Sequence, residues 1–403
     1  MAVVLTALLL AVPTDAAPLF GMADTSTVVV WGTVASITPY PAAKLQVFGI
    51  KVTRAGKGDV AAGETMALAQ EMLFESTKPY FAPGVETLVL AVPLPSHSSF
   101  RKALPEGTYW RWTERLETVA DVAGLTDPAL AEAVARYLTV RDDAEATADF
   151  LVGTLAGSSG RLRNDALIAI AARPELPPLL DAGRLQPLSP WLRDPRQPIA
   201  ERAQVLVQLA RVGAPGVVDL AEDLAAADGP LQAAAVDALV SIDKVPPAER
   251  LLVWTRSSDE ALRLAASRGL AKIASPAALD RLAEMLAHDT SAGVRLAIVQ
   301  ALARVPGEQA VTLLAGELAK SDKTLAVAAA ESLGRLASPE AIAALAAALE
   351  QGSSDAQAAA AFALKRCNQR EAEEILHRLE ENHPDPNVRR LCRLALGESM
   401  HEH

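Results

Sequence analysis

The chain has 403 residues, a formal net charge of −11 and only 4% aromatic residues, although half of its residues are hydrophobic. This length allows two domains. Because binding to a phosphate backbone depends on Lys and Arg, an acidic chain is a poor candidate for it. We therefore expect no nucleic-acid partner.

The N-terminus carries an apolar run, Ala2–Val12, that is too short to cross a bilayer, since a spanning helix needs about 20 residues. Small residues follow, and cleavage after Ala16 or Ala17 would suit a secretory signal peptide. No Lys or Arg precedes the run, and a buried first strand is the alternative interpretation. We expect residues 1–17 to be a signal peptide, with no integral membrane span and a periplasmic or secreted location.

Residues 24–115 consist of short β-branched or alternating runs separated by turn residues. Four runs have the composition of strands. They are Thr27–Val34, Lys44–Arg54, Glu64–Ala69 and Glu86–Val92. Turn signals occur at Gly56–Asp59 and Ala82–Gly84. Four or five short strands in about ninety residues predict a small β-barrel or sandwich.

Three short motifs follow one another in this region: Val-x-Gly-x-Val at Val30–Val34, Ile-x-Val-x-Arg at Ile50–Arg54, and Lys-Gly-Asp at Lys57–Asp59. Their order resembles that of the secreted OB-like barrels of the netrin and TIMP type. The resemblance implies a closed barrel for this domain.

Aromatic residues are concentrated in the β region, which contains Tyr80, Phe81, Phe100, Tyr109, Trp110 and Trp112. If residues 107–113 are extended, Trp110 and Trp112 lie on one face of a strand. With Tyr109 they form a candidate binding group, because paired tryptophans can stack on sugars or grip a proline-rich peptide. The alternative is that they cover the barrel floor or dock the barrel on the helical part.

Beyond residue 126 an apolar anchor residue recurs every 30–32 residues, with one interval of 39. The anchors are Leu138, Ile170, Leu209, Leu239, Leu270, Leu302, Leu333, Leu364 and Leu396. Each unit contains two apolar-periodic segments with a short break, which predicts a helical hairpin, and a fixed period of this length indicates a solenoid. We expect residues 126–403 to form about eight to nine hairpins, stacked as a right-handed α-α superhelix.

One segment occurs twice with nearly the same sequence, at Leu270–Leu279 and Leu333–Ile342. It consists of a helix end, a Ser-Pro corner and the start of a second helix. Apolar residues then follow at i, i+3 and i+7, which gives one stripe on a helix. These stripes are Leu279, Leu282 and Leu286; Val311, Leu314 and Leu318; and Ile342, Leu345 and Leu349. The long interval is rich in proline between Arg173 and Pro198, and we expect a loop or bend there that carries Trp191, a further candidate binding residue.

Charged residues recur at fixed distances before the anchors. Arginine stands seven residues before five anchors, at Arg163, Arg202, Arg263, Arg295 and Arg389. Aspartate stands eleven residues before four anchors, at Asp228, Asp259, Asp322 and Asp385, with Asp289 displaced by two. Such an Asp can cap the N-terminus of the first helix. The arginines form either an inter-repeat hydrogen-bond ladder, which we favour, or an anion-binding ladder.

The pattern Asp-x-x-Val-Arg-x-x-Ala-x-x-Ala-Leu-Gly, seen well in Asp385–Gly397, resembles HEAT repeats, particularly the short kind found in phycobilisome lyases. The resemblance is strong over residues 200–397 and weaker over 126–199. It implies a HEAT-like α-solenoid, and HEAT-like proteins are mostly scaffolds and binding platforms, although a few are lyases or glycosylases. None of the catalytic motifs of those enzymes can be placed in this sequence.

We find no phosphate-binding loop, His-Glu-x-x-His, Gly-x-Ser-x-Gly or Cys-x-x-Cys motif. His401 and His403 could hold a metal weakly with His377 or His383, but a solvated tail is the simpler interpretation, so we predict no cofactor and no metal. Offsets relative to their anchors place Cys367 and Cys392 too far apart for a disulfide.

These observations leave three hypotheses for the function. The first is a non-enzymatic cell-envelope scaffold that binds a protein or peptide on the solenoid. The second makes the β domain a glycan- or peptide-binding module and the solenoid a spacer. The third is an enzyme or accessory factor that resembles the HEAT-type lyases.

Overall fold

A computed structural model describes residues 18–71, 82–113, 125–157, 159–320 and 322–397. The predicted signal peptide, Tyr80, Phe81, His401 and His403 lie outside the described residues. The described chain divides into two compact units, one ending at Leu220 and the other beginning at Ala221. The first unit contains the β domain and the first helices, and the second contains the remaining helices.

The β domain is a closed five-stranded barrel, which confirms the barrel and excludes the sandwich. Its strands are β1 (Val28–Tyr40), β2 (Leu45–Lys57), β3 (Thr65–Glu71), β4 (Glu86–Pro93) and β5 (Tyr109–Trp112). Strands β1, β2 and β3 form an antiparallel meander. Strand β4 pairs antiparallel with β1 and β5, and β5 pairs parallel with β3, which closes the barrel in the order β1-β2-β3-β5-β4.

Strand β1 extends beyond the predicted run to Tyr40, because Ser36–Tyr40 pair with β2, and it bends where this pairing is irregular. Its register against β2 shifts at three places, one of them between Trp31 and Gly32. A Cβ at Gly32 would lie 2.7 Å from the carbonyl oxygen of Lys51, so only glycine fits at this bend. The predicted turn at Gly56–Asp59 starts later, because β2 continues to Lys57 and Gly58 then adopts a φ of +88°.

Two short helices accompany the barrel, α1 (Leu19–Thr25) and α2 (Ser99–Lys102). Helix α1 has only seven residues and shows too little periodicity to be predicted from the sequence. Its Phe20 is fully buried, with ring centroids 4.8 Å from Tyr137 and 5.7 Å from Phe150. Helix α1 is therefore held by aromatic packing on the first helical hairpin of the same compact unit.

Eighteen further helices follow in the described chain. In the first compact unit they begin with α3 (Pro128–Val140), α4 (Ala144–Gly157), α5 (Gly160–Ala172), α6 (Ala182–Leu185), α7 (Leu188–Arg193) and α8 (Ile199–Arg211). Helix α9 (Val217–Ala226) spans the division between the units. The second unit continues with α10 (Gln232–Ser241), α11 (Ala248–Trp254), α12 (Glu260–Ile273), α13 (Pro276–His288), α14 (Ala292–Leu302), α15 (Glu308–Leu318), α16 (Lys323–Leu336), α17 (Pro339–Gln351), α18 (Ser354–Arg366), α19 (Arg370–Asn382) and α20 (Pro386–Leu396). These helices form the predicted repeat-like solenoid.

The Ser-Pro corner has the geometry that its residues predict. Helix α16 ends at Leu336, and its C-cap Ala337 adopts the left-handed conformation with φ 47° and ψ 25°. Ser338 then caps α17 by accepting a hydrogen bond from the N–H of Ala341, and Pro339 occupies the first helical position. The same left-handed C-cap, serine N-cap and proline at the first helical position occur at Ala274, Ser275 and Pro276.

The first helices of consecutive hairpins in the second unit, α10, α12, α14, α16, α18 and α20, pack side by side in chain order. The apolar stripes of α13, α15 and α17 are buried, as predicted. The proline-rich segment is not a bare loop, because it contains a 3-10 turn and the short helices α6 and α7. Cys367 and Cys392 are buried and free, as predicted.

Candidate binding surface

The aromatic group of β5 is largely enclosed. Strand β5 is extended, as expected, but Trp112 is buried, while Tyr109 and Trp110 are half-buried. Tyr109 lies beneath the guanidinium group of Arg101, 5.2 Å from its ring centroid. Because Trp112 has little accessible surface, the two tryptophans do not form an open stacking platform.

Trp191 is also enclosed. It lies in α7, is 7% exposed and packs under the guanidinium group of Arg163, 4.7 Å from the ring centroid. The Nη2 atom of Arg163 donates a 2.6 Å hydrogen bond to the carboxylate of Glu201 in α8. Trp191 therefore belongs to the packing between α5, α7 and α8.

The other four recurrent arginines are also engaged within the chain. Arg202 donates to the carbonyl oxygen of Leu192 at 2.9 Å. The remaining three share one contact, in which Nη1 donates to the carbonyl six residues earlier, in the turn before the helix. The pairs are Arg263 with Ser257, Arg295 with Asp289, and Arg389 with His383. The recurrent arginines are thus held by contacts within the chain.

Three of the recurrent aspartates cap helices. Asp259, Asp322 and Asp385 each accept a hydrogen bond from a backbone N–H in the first turn of α12, α16 and α20, at 2.8–3.0 Å. Asp289 differs, because Ser291 is the N-cap of α14. The carboxylate of Asp289 instead accepts two hydrogen bonds from Arg263, at 2.9 and 3.0 Å, and one from the N–H of Ser291.

A polar cleft of about 440 Å³ opens beside Asp289. Arg256, Arg263, Arg281 and Glu284 contribute to its lining. Burial raises the pKa of Asp289, but the hydrogen bonds from Arg263 and the Ser291 N–H outweigh it and lower the pKa overall. The guanidinium group of Arg281 donates to Thr255 and pairs with Glu284 at 2.6 Å. Two of the three arginines of the cleft thus already have carboxylate partners.

The solvent-facing side of the first helices forms a regular surface, which we call the ridge face. It contains the residues six before, two before and two after each anchor of α12 to α20, because residues four apart lie on one side of a helix, and Arg304 stands in the turn directly after α14. It consists of Leu264, Arg268 and Lys272; Leu296, Gln300 and Arg304; Val327, Glu331 and Arg335; Ala358, Phe362 and Arg366; and Arg390 and Leu394. Since adjacent first helices pack together, the ridges run next to one another.

The ridge face combines apolar and charged side chains. Val327, Phe362 and Leu394 belong to the large hydrophobic residues of the described chain that remain exposed, at 38%, 50% and 42%. Ion pairs link neighbouring ridges, with Arg366 to Glu331 at 3.2 Å and Arg268 to Asp237 of α10 at 2.8 Å. Because these exposed hydrophobic side chains lie on neighbouring helices and exposed hydrophobic patches mark interaction sites, this face is a candidate for contact with another molecule.

The sequence also carries a signal for this face, at a position other than those seven and eleven residues before the anchors. Alignment at the position two residues after the anchor shows a cation in four consecutive units, at Lys272, Arg304, Arg335 and Arg366. Exposure of Phe362 and Leu394, in contrast, depends on which side of each helix the neighbouring helices cover.

Two further features bear on the chemistry. The described residues contain no group of three or more His, Cys, Asp or Glu side chains that could hold a metal ion. Within the described ranges, none of the helices combines the length and the apolar character that crossing a bilayer requires.

A HEAT-repeat family model matches residues 217–303, 248–326 and 289–365, which confirms HEAT repeats in this part of the chain. No curated protein sequence matches the chain. Solved structures that match the chain include human deoxyhypusine hydroxylase in complex with glycerol, which is 20% identical over 68% of this chain and 92% of its own, with a TM-score of 0.26. The Escherichia coli protein YibA is 14% identical over 66% and 97%, with a TM-score of 0.38. Kap121p bound to Pho4p is 14% identical over 66% and 35%, with a TM-score of 0.35.

Proposed function

We propose that this chain, whose residues 217–365 form HEAT repeats, is a non-enzymatic scaffold of the cell envelope that binds another protein or peptide on the ridge face. The observation that carries the proposal is the exposure of Val327, Phe362 and Leu394 on one face of three neighbouring helices. A solenoid offers such faces for binding because each repeat buries only the sides that touch its neighbours.

The ridge face supports a site on the solenoid over a site on the barrel. Exposed aromatic and large aliphatic side chains are the usual anchors of a protein interface. On the barrel, Trp112 is buried and Tyr109 is covered by Arg101, so that the aromatic group of β5 offers less free surface. Phe362 and Leu394 are therefore the residues on which we expect partner binding to depend.

The binding test compares three forms of the full chain as bait for the envelope fraction: wild type, a Phe362→Ser/Leu394→Ser variant, and an Ile199→Ser/Val253→Ser control. Ile199 and Val253 are also exposed, at 44% and 64%, but lie outside the ridge face. We expect wild type and control to capture the same partner and the ridge variant to lose it, with unchanged melting temperatures. Capture by the ridge variant at the wild-type level would contradict the proposal.

The envelope location rests on the apolar run Ala2–Val12 and the small residues after it. Export predicts that protein recovered from the producing cells begins between Ala17 and Asp24. N-terminal sequencing of that protein measures this directly. A cytosolic protein with Met1 intact would contradict the envelope location and leave the binding proposal to its own test.

A further inference from the structure

The ridge face carries a row of cations at one fixed register. Lys272, Arg304, Arg335 and Arg366 each stand two residues after the anchor of consecutive first helices, and all four are exposed. The chain as a whole has a net charge of −11. Four aligned cations thus form a local basic feature on an acidic protein, which we call the basic row.

The two central members of the basic row have no counter-charge. Lys272 pairs with Asp243 and Arg366 pairs with Glu331. Within the part of the chain that the structure describes, Arg304 and Arg335 form neither an ion pair nor a side-chain hydrogen bond. Their charges are therefore available to a partner without loss of an internal contact.

Helix dipoles do not account for the row. A cation in the last turn of a helix is favourable, because that end carries a partial negative charge. The same rule applies to the second helices, yet only α13 among α13, α15, α17 and α19 has a basic residue in the last turn, His288, and Arg304 itself lies beyond the last turn of α14. The cations thus follow the first helices and their exposed face rather than helix ends in general.

The basic row lies beside the apolar residues of the same ridges. Val327 precedes Arg335 by two turns on α16, and Phe362 precedes Arg366 by one turn on α18. Neighbouring helices pack about 8–10 Å apart, so successive cations are separated by about that distance. A peptide in the polyproline II conformation advances about 3.1 Å per residue with three residues per turn, so that every third side chain lies on one face and meets the next helix about 9 Å further on.

From this arrangement, and on the basis of the proposed function, we infer that the partner presents an extended acidic segment whose carboxylates, spaced about three residues apart, pair with the basic row across α12 to α18. Apolar side chains of the same segment contact Val327 and Phe362. Nucleic acid fits less well, because it offers no apolar side chains and the rest of this acidic chain repels a long polyanion.

The inference is tested with a labelled 12-residue peptide that has Glu at every third position and Leu or Phe between, at low and at moderate salt. Three proteins are compared: wild type, Arg304→Glu/Arg335→Glu, and a Lys244→Glu/Arg370→Glu control with the same change in charge outside the row. We expect wild type and control to bind alike and the row variant to bind ~10-fold more weakly, with wild-type affinity falling as salt rises.

Failure to bind the peptide, or equal binding by wild type and row variant, would overturn the inference. Tighter binding of a single-stranded oligonucleotide than of the peptide would also overturn it. The capture experiment with the envelope fraction distinguishes a failure of this inference from a failure of the proposed function. If the row variant captures the partner and the Phe362→Ser/Leu394→Ser variant does not, the ridge face binds a partner without acidic recognition. If both capture it, both proposals are wrong.

Discussion

The hydroxyl of Tyr137 donates a 2.6 Å hydrogen bond to the carboxylate of Asp24. Asp24 lies near the end of α1 and Tyr137 in α3, so the bond joins the segment before the barrel to the first helical hairpin. The ammonium group of Lys57 in β2 donates hydrogen bonds to the carbonyl oxygens of Ala23 and Asp24, at 3.1 and 2.8 Å. Barrel strand, leading helix and first hairpin are thus tied together within one compact unit.

The Tyr137–Asp24 contact predicts a loss of stability in Tyr137→Phe. Tyr137 is fully buried, and burial is the main cause that raises its pKa to about 12. Removal of a hydrogen bond to a charged acceptor should lower the free energy of unfolding by about 1.5 kcal/mol. Urea denaturation measures the change, with Tyr40→Phe as the matched control. An unchanged midpoint for Tyr137→Phe would show that Asp24 finds another donor.

The arginine ladder predicts a second stability effect. Arg263→Ala removes two hydrogen bonds to the nearly buried carboxylate of Asp289 and one to the Ser257 carbonyl. We expect a loss of roughly 1–3 kcal/mol for Arg263→Ala or Arg295→Ala. Thermal denaturation beside the exposed control Arg256→Ala tests this. Unchanged melting with loss of partner binding would instead identify the ladder as a binding site.

Asp165 predicts a stability that depends on pH. Its carboxylate is 1% exposed, pairs with Arg161 at 3.2 Å, and has a pKa raised to about 6, chiefly by burial. Because the pKa of Asp165 is higher in the folded than in the unfolded chain, the protonated form of this carboxyl group stabilises the fold. This stabilisation is complete below about pH 4 and is lost as the pH rises through 6. Relative to Asp165→Asn, the wild type should lose about 3 kcal/mol across this range, at 1.36 kcal/mol per pKa unit.

Urea denaturation of wild type and Asp165→Asn at intervals from pH 4 to pH 8 gives this difference directly. The control is Asp142→Asn, which changes a carboxylate that is 89% exposed. A constant difference between wild type and Asp165→Asn over the whole range would mean that Asp165 titrates as it does in the unfolded chain.

The left-handed corner at Ala337 predicts that a smaller residue stabilises the fold. An L-residue with a side chain is strained there, whereas glycine adopts φ 47° without a Cβ clash. Ala337→Gly should therefore gain about 0.5–1 kcal/mol. Ala347→Gly, on the exposed side of α17, should lose a similar amount because glycine weakens a helix interior. Loss of stability in both variants would show that the Ala337 side chain contributes packing that outweighs the strain.

The parts of the fold that repeat could be predicted from the sequence. Leu333 and its equivalents reveal the hairpins because the same local interactions recur in every unit, and the Ser-Pro corner follows from the backbone preferences of three adjacent residues. The barrel strands were predictable from β-branched and alternating runs bounded by turn residues. These features depend on neighbours in the chain, which a pattern records.

The contacts between distant segments could not be predicted. Nothing in the spacing of Asp24 and Tyr137 indicates that they meet, because neither belongs to a repeated pattern and the meeting depends on how α1 docks. The sequence makes Trp191 a candidate binding residue, whereas the structure places it under Arg163. Exposure of Phe362 likewise depends on which side of α18 the neighbouring helices cover.

Closure of the barrel has a consequence for how the chain acquires its structure. Val28 pairs with Ala91 and Ala67 with Tyr109, so the barrel is completed only when segments far apart in the sequence meet. Contacts of long sequence separation slow folding, because the entropy of loop closure is lost before the contacts form. Each hairpin of the second unit, in contrast, packs mainly on the next one along the chain. During synthesis the N-terminal barrel emerges first, yet we expect it to mature more slowly than the hairpins made after it.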